Sequence, residues 1–319
     1  MSESAMENEI ILQTDRLTKH YGNLAAVQDL SLEIRQGEVF GFLGPNGAGK
    51  TTSIHMMCGL LKPDSGWVRL KGIPLSSGKA RQMVGVCPQQ IVIWEKQTCI
   101  EQLQFIGQMY GLSAGLSRQR GRNLLAELNL EEKQNQLACR LSGGMQRRLN
   151  LALALVHDPE ILILDEPEAG LDPQNRVRIR EYIRSLARRK TIILTTHNMD
   201  EADRLADRVA IIDHGRLLVI DTPQALKSRL GEGDVLEVTL NAQSVDLQQI
   251  QMTLSSLLGR IEINLADGSL TLRGLNLVHQ LPAILGALES LGLKLEDIRL
   301  RGNTLEDVFI QLTGRKLRE

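Results

Sequence analysis

The stretch of this 319-residue chain most able to do chemistry is GPNGAGKTT, Gly44 to Thr52. It fits GxxxxGK[ST], directly after an apolar run (Glu38–Leu43) and before a helical one (Ser53–Leu61). Gly44, Gly47 and Gly49 let backbone N–H groups close around β- and γ-phosphates, and the helix N-terminus adds positive potential. Pro45, Asn46 and Ala48 complete the loop. Lys50 supplies a full charge to the phosphates, the Thr51 hydroxyl is placed to ligate Mg²⁺, and Thr52 is expected to help hold the α-phosphate.

A second cluster closes EILILDEP, where Asp165 and Glu166 end an apolar strand. In a parallel sheet, ligands sit at the carboxyl ends of strands, so both acids are expected to face the phosphate loop. Asp165 fits the role of holding Mg²⁺ through water, and Glu166 that of the general base on the attacking water. TIILTTHN sets His197 just past another buried strand. An isolated His there is more often solvated than catalytic; a place beside the γ-phosphate reverses that preference, because a hydrogen bond would stabilise transition-state charge. LSGGMQRR, Leu141 to Arg148, opens a helix on Ser142, Gly143 and Gly144, whose free N–H groups make another anion site or a plain helix cap.

Positioning these groups takes strands alternating with helices, and residues 9–225 supply them. ILQTDRL, SLEIRQGEVFGFLG, WVRL, MVGVC, EILILDEP, KTIILTTH and RVAIIDHGRLLVID read as strands bounded by Gly, Pro or Asp. Helical stretches such as Lys50–Leu61 and Arg178–Arg188 lie between them. The pattern predicts an α/β fold, a parallel sheet covered by helices on both faces. From about Thr98 to Leu155, apolar residues at three- and four-residue spacing predict a helical insert. After Thr222-Pro223 the order becomes strand DVLEVTL, helix LQQIQMTLSSLLG, strands IEINL and SLTLRG, helix LVHQLPAILGALESLG, strand KLEDIRL and helix TLEDVFIQLTG. Ala266-Asp267-Gly268 between the paired strands is a hairpin signal, and Pro282 interrupts the second helix. This βαββαβ order plus a helix predicts a small ferredoxin-like α+β domain.

Composition excludes several classes. The 37 Lys+Arg balance 38 Asp+Glu to a net charge of −1, which argues against a nucleic-acid partner. Apolar runs such as LALALV fall far short of the roughly 18 residues of a membrane-spanning helix. The start, MSESAMENEI, reads as neither a secretory signal nor a transit peptide. Cys58, Cys87, Cys99 and Cys139 form no CxxC pair, against zinc and disulfides and in favour of a soluble protein of a reducing compartment.

With the phosphate loop, Gln89 in GVCPQ, LSGGMQ, LILDEP, GLD (Gly170–Asp172) and TTH in that order, residues 9–225 resemble the ATP-binding subunits of ABC transporters. The resemblance implies a P-loop NTPase core of ABC type, with an antiparallel β subdomain and a helical subdomain at about 98–155, in a domain 1–225; residues 226–319 form the accessory domain. It implies ATP and Mg²⁺ as cofactors. Gln89 is implied as a lid glutamine that ligates Mg²⁺ and couples to a membrane partner. Ser142, Gly143, Gly144 and Gln146 are implied to contact the γ-phosphate bound by the opposite subunit. Asp172 belongs to the loop crossing that interface, and Tyr21, in KHYGNLAAVQDLSLEI, to the adenine stack. The nucleotide is thus sandwiched in a head-to-tail dimer, a homodimer or a pair with a second ATPase subunit, and hydrolysis releases it.

The partner so implied is a transmembrane permease, and the location the cytoplasmic face of the inner or plasma membrane, held peripherally by that permease. TLEDVFIQLTGR resembles the tail of drug, lipid and polysaccharide exporter ATPases. Three residues depart from the pattern. Glu168 stands where Thr or Ser is usual, and Gln97 and Cys99, in a stretch expected to face the membrane partner, stand where apolar residues are common. A non-transport ABC ATPase of translation, repair or cluster assembly is the alternative; the second cassette, zinc module or coiled coil of such proteins is not visible. A nucleotide sensor without turnover is a third reading, opposed by intact Lys50, Asp165, Glu166 and His197.

Overall fold

A computed structural model describes residues 9–230, 233–240, 247–258, 262–266, 269–275 and 277–314. The chain divides into two compact units between Pro223 and Gln224. In order, the first unit contains β1 (Ile10–Tyr21), β2 (Leu24–Arg35), β3 (Val39–Leu43), α1 (Lys50–Met57), β4 (Ser65–Leu70), β5 (Ile73–Pro74), α2 (Gly78–Arg81) and β6 (Val84–Cys87). There follow α3 (Cys99–Met109), α4 (Ala114–Glu127), α5 (Gly143–Leu155), β7 (Ile161–Asp165), α6 (Pro173–Leu186), β8 (Thr191–Thr196), α7 (Met199–Leu205), β9 (Arg208–Asp213) and β10 (Arg216–Asp221).

The central sheet has six strands in the order β10-β9-β3-β8-β7-β6. All its pairings are parallel except that of β10 with β9. Strands β3, β7 and β8 are buried along their whole length, as expected where both faces are covered. Their side chains alternate between two cores. Leu162, Leu164, Ile192 and Leu194 pack with Leu103, Leu125 and Leu149 of the helical insert. Phe40, Ile161, Ile163 and Ile193 pack with Ile54 and Met57 of α1 and with Leu12 and Ile34 of the N-terminal strands.

Those N-terminal strands do not join the parallel sheet. They form a separate antiparallel sheet, β2-β1-β4-β5. The link from β1 to β2 is only Gly22-Asn23, with Gly22 at φ 59°, which suffices for a hairpin and is far too short for a parallel crossover. SLEIRQGEVFGFLG likewise splits into two strands at Gly37, φ 77°, and RVAIIDHGRLLVID folds as a hairpin about His214 and Gly215, both at positive φ. The insert is helical as its spacing predicts, with 3₁₀ turns at Glu131–Lys133 and Ala138–Arg140. A Thr98–Glu101 capping box starts it.

After α8 (Pro223–Arg229), the second unit runs β11 (Asp234–Leu240), α9 (Leu247–Leu258), β12 (Glu262–Ala266), β13 (Ser269–Gly274), α10 (Leu277–Ser290), β14 (Leu295–Gly302) and α11 (Leu305–Thr313). The sheet order β12-β13-β11-β14, antiparallel throughout, is that of a ferredoxin-like unit. Leu236, Val238, Leu270 and Leu272 pack on Ile250, Leu254, Ile284 and Leu288. Pro282 lies inside α10 without ending it. Asp267 and Gly268 of the expected hairpin turn lie outside the described residues. Among the described residues, no helix is long and apolar enough to cross a membrane.

Candidate functional site

The phosphate loop leaves the buried strand β3 and closes at Gly49, whose φ of 99° caps α1. A side chain at Gly44 would run into the Ile212 carbonyl, and one at Gly49 into that of Ala26, so both positions need glycine for space. Gly47 needs it only for its φ of 80°. Lys50 is buried, and its Nζ donates to Gly44 O at 2.7 Å and Pro45 O at 3.0 Å. Burial lowers its pKa, against the opposing pull of Glu166 and Asp165. An ammonium has three N–H donors, so one stays available to a phosphate oxygen.

Asp165 ends β7 on the α1 side. Thr51 Oγ1 donates to its Oδ2 at 3.2 Å, and Thr195 Oγ1 donates to its Oδ1. Glu166 follows in the left-handed region, φ 47°, its N–H held by Thr195 Oγ1 (3.0 Å) and Thr195 O (3.1 Å). Its carboxylate accepts from Gln89 Nε2 at 2.9 Å on one oxygen and meets His197 Nδ1 at 3.0 Å on the other. A carboxylate can only accept, so Nδ1 carries the proton in that contact. The fold thus gathers Lys50, Thr51, Gln89, Asp165, Glu166 and His197.

Thr51, Asp165 and the Gln89 amide offer oxygen ligands with a single carboxylate. That donor set suits Mg²⁺, which takes few protein ligands and fills its octahedron with nucleotide oxygens and water. In keeping with so sparse a set, no cluster of three or more His, Cys, Asp or Glu fit to hold a metal occurs among the described residues.

The remaining expected residues lie apart. Ser142 caps α5, its Oγ accepting from Met145 N at 3.4 Å, and Gly143 is exposed. Gly144 sits against Asn175, whose Nδ2 would lie 2.6 Å from any Cβ there. Asn175 in turn donates to Asp172, the cap of α6, at 2.6 and 2.9 Å. Gln146 donates to Ala138 O at 3.1 Å. Among the described residues, the hydrogen bonds of Ser142, Gln146 and Asp172 do not reach Lys50, Asp165 or Glu166. Tyr21 ends β1 with 53% of its surface exposed, an open face for stacking. Thr52 follows Thr51 in the first turn of α1.

Three features escaped the sequence reading. Thr195 bridges the two acids. Arg147 lies buried beneath them. Glu168, the departure noted after DEP, is buried in a bidentate ion pair with Arg180 (2.9 and 2.6 Å). A fourth point corrects an expectation: Cys99 is wholly buried, its thiol directed at Gln136 O, so it offers nothing to a partner. Exposed apolar groups in that stretch are Ile91, Val92 and Trp94 instead.

Comparison with known proteins adds a family. The ABC transporter profile matches residues 27–169. A Nod factor export ATP-binding protein I of Ralstonia nicotianae is 40% identical over 97% of this chain and 95% of its own length. The linearmycin resistance ATP-binding protein LnrL of Bacillus subtilis is 35% identical over 97% and 100%. Among solved structures, the dimeric post-hydrolysis state of the ATP-binding cassette MJ0796, bound to ADP and Pi, superposes with a TM-score of 0.61 at 25% identity, over 66% of this chain and 98% of that one.

Proposed function

Because the chain belongs to the ATP-binding subunits of the ABC transporters, which bind and hydrolyse ATP, we propose that two such cassettes clasp ATP between them and drive export through a separate transmembrane permease. One observation carries the pairing. Among the described residues, side-chain hydrogen bonds join the Gly44–Thr52 helix tip to the catalytic cluster, and those of Ser142 and Gln146 at the second tip do not reach it. The Ser142–Gly144 tip, exposed and apart, has an anion to bind if that anion belongs to another subunit. Export is favoured over a non-transport role by relatives matched over 95% and 100% of their length that are named for Nod factor export and linearmycin resistance. In this reading the protein sits at the cytoplasmic face of the membrane, held by the permease.

Within each site, the loop amides and Lys50 hold the β- and γ-phosphates. Thr51, Asp165 and Gln89 would hold Mg²⁺, which when bound neutralises phosphate charge. Glu166 takes the proton of the attacking water, with Gln89 and His197 fixing its carboxylate in place. Tyr21 stacks on adenine, and Gln146 and Asp172 support the tip that reaches the second subunit. Ser142→Arg tests the pairing: it should leave binding of a fluorescent ATP analogue intact and abolish phosphate release. Full turnover in that variant would end the sandwich reading, and recovery of the solubilised chain from its native membrane without any integral membrane protein would end the permease reading.

A further inference from the structure

We propose that Arg147 is a positioning residue that transmits the placement of the Ser142–Gly144 tip to the general base of the same subunit. Arg147 is 3% exposed, and its guanidinium has no carboxylate partner among the described residues. It donates instead to five backbone carbonyls. Nη1 donates to Pro88 O (2.7 Å) and Gln89 O (2.8 Å). Nη2 donates to Asp165 O (3.0 Å) and Glu166 O (2.7 Å), and Nε to Pro167 O (3.2 Å). A buried charge without a counter-ion is costly, and among the described residues these carbonyl dipoles are what the hydrogen bonds offer in compensation.

The carbonyls chosen give the arrangement its meaning. Two belong to the segment whose Gln89 side chain holds Glu166 Oε2. The other three flank and include Glu166, whose backbone takes the left-handed φ of 47°. Thr195 fixes the N–H side of Glu166 and Arg147 its carbonyl side, so the base is clamped at both ends of one residue. Arg148, next in sequence, turns to Leu128 O at 2.8 Å and anchors the insert instead. Arg147 rides on α5, the helix that Ser142 caps. A shift of α5 by about an ångström would disturb this set of bonds, because a hydrogen bond survives little change in length. The planar fork of arginine, with five N–H groups, serves this task; the three-donor ammonium of lysine covers fewer carbonyls. The proposal rests on the pairing reading for what moves the tip, and on geometry alone for what the base feels.

The test uses the full-length chain and the variants Arg147→Met and Arg147→Lys. Nucleotide affinity by fluorescent ATP analogue should stay within about threefold of wild type in both. The kcat should fall by at least about thirtyfold in the Met variant and less in the Lys variant, a split that general loss of structure does not produce. The Hill coefficient for ATP should fall below that of the wild type measured alongside. A Met variant with kcat within threefold of wild type overturns the proposal, as does parallel loss of affinity and turnover in the Lys variant. If the Met variant does not fold, the Lys variant decides by the same split. ATP-dependent dimerisation of Glu166→Gln, run alongside, separates the two ideas. A dimer there with an unchanged Hill coefficient in the Arg147 variants sinks the coupling. No dimer there, with the kcat split intact, sinks the pairing and leaves Arg147 as the clamp of the base alone.

Discussion

Glu166→Gln isolates the chemical step from everything that supports it. Glutamine has the shape of the carboxylate, so its oxygen still accepts from Gln89 Nε2, now at 2.9 Å. Its amide then faces His197 Nδ1, now at 3.0 Å, and the imidazole keeps the contact by moving its proton to Nε2 and accepting. Both hydrogen bonds survive in kind, so the folding free energy should change by no more than about 1 kcal/mol. What is lost is the proton acceptor. A positioned general base is worth roughly 10²–10⁴ in rate, or about 2.7–5.5 kcal/mol of barrier at about 1.4 kcal/mol per tenfold. ATP affinity should hold or rise, because one negative charge leaves the neighbourhood of the incoming phosphates. The assay is single-site phosphate release at saturating ATP and Mg²⁺, beside size-exclusion with the same nucleotide, where the variant should run as a dimer. Turnover within about threefold of wild type, in protein whose mass confirms the amide, would refute the assignment of the base.

Two further substitutions probe the neighbours of the site. Lys50→Ala removes the ammonium that holds the loop carbonyls of Gly44 and Pro45 and is proposed to hold the phosphates; ATP affinity should fall at least about tenfold, measured by fluorescent-analogue titration, and unchanged affinity would remove Lys50 from the site. Glu201 is buried on α7, with Thr196 Oγ1 donating to one oxygen at 2.6 Å and, among the described residues, no hydrogen-bond partner on the other. Burial pushes its pKa up to about 7, against the Thr196 hydrogen bond and with the Glu168 charge adding to it. The folded state therefore holds this proton more tightly than the unfolded chain, so the stability it contributes is complete below about pH 4.5 and is lost as pH rises through about 7. Glu201→Gln, neutral at every pH, should flatten that slope and gain up to about 3 kcal/mol over wild type at pH 8 in urea unfolding; an equal difference at pH 5 and pH 8 would rule the mechanism out.

The residues gathered at the candidate site were legible because each lies in a short contiguous string, and in the phosphate loop the glycines encode backbone shape. Gly44 and Gly49 are required by the close carbonyls of Ile212 and Ala26, and a sequence reader sees the glycines without seeing those carbonyls. Strands β3, β7 and β8 were visible for a similar reason: burial on two faces leaves an unbroken apolar run. Which sheet a strand joins was harder to see. The alternating burial of β2 marks a strand with one covered face, yet its partners are set by a two-residue turn and by long-range pairing. The bridges were hidden altogether. Thr195 reaches Asp165 across 30 residues, Arg147 reaches Gln89 across 58, and nothing local to LSGGMQRR tells which of its two buried arginines turns toward the acids.

The left-handed backbone of Glu166 answers a problem that the motif itself creates. Adjacent residues on a strand point to opposite faces, and β7 obeys this: Ile161 and Ile163 face α1, Leu162 and Leu164 face the insert. Asp165 continues the first series and so meets Thr51 on α1. A Glu166 that stayed in the strand would follow Leu164 toward the insert, away from the phosphates. Breaking the strand at φ 47° frees its carboxylate to reach Gln89 and His197, at a backbone cost of about 1–2 kcal/mol. A glycine would adopt that backbone at no cost, but it has no carboxylate, so the strain must be offset from outside. Thr195 and Arg147 do this from the two sides of the same residue, so hydrogen bonds from strings far apart in the chain are what let two neighbouring acids face one candidate site.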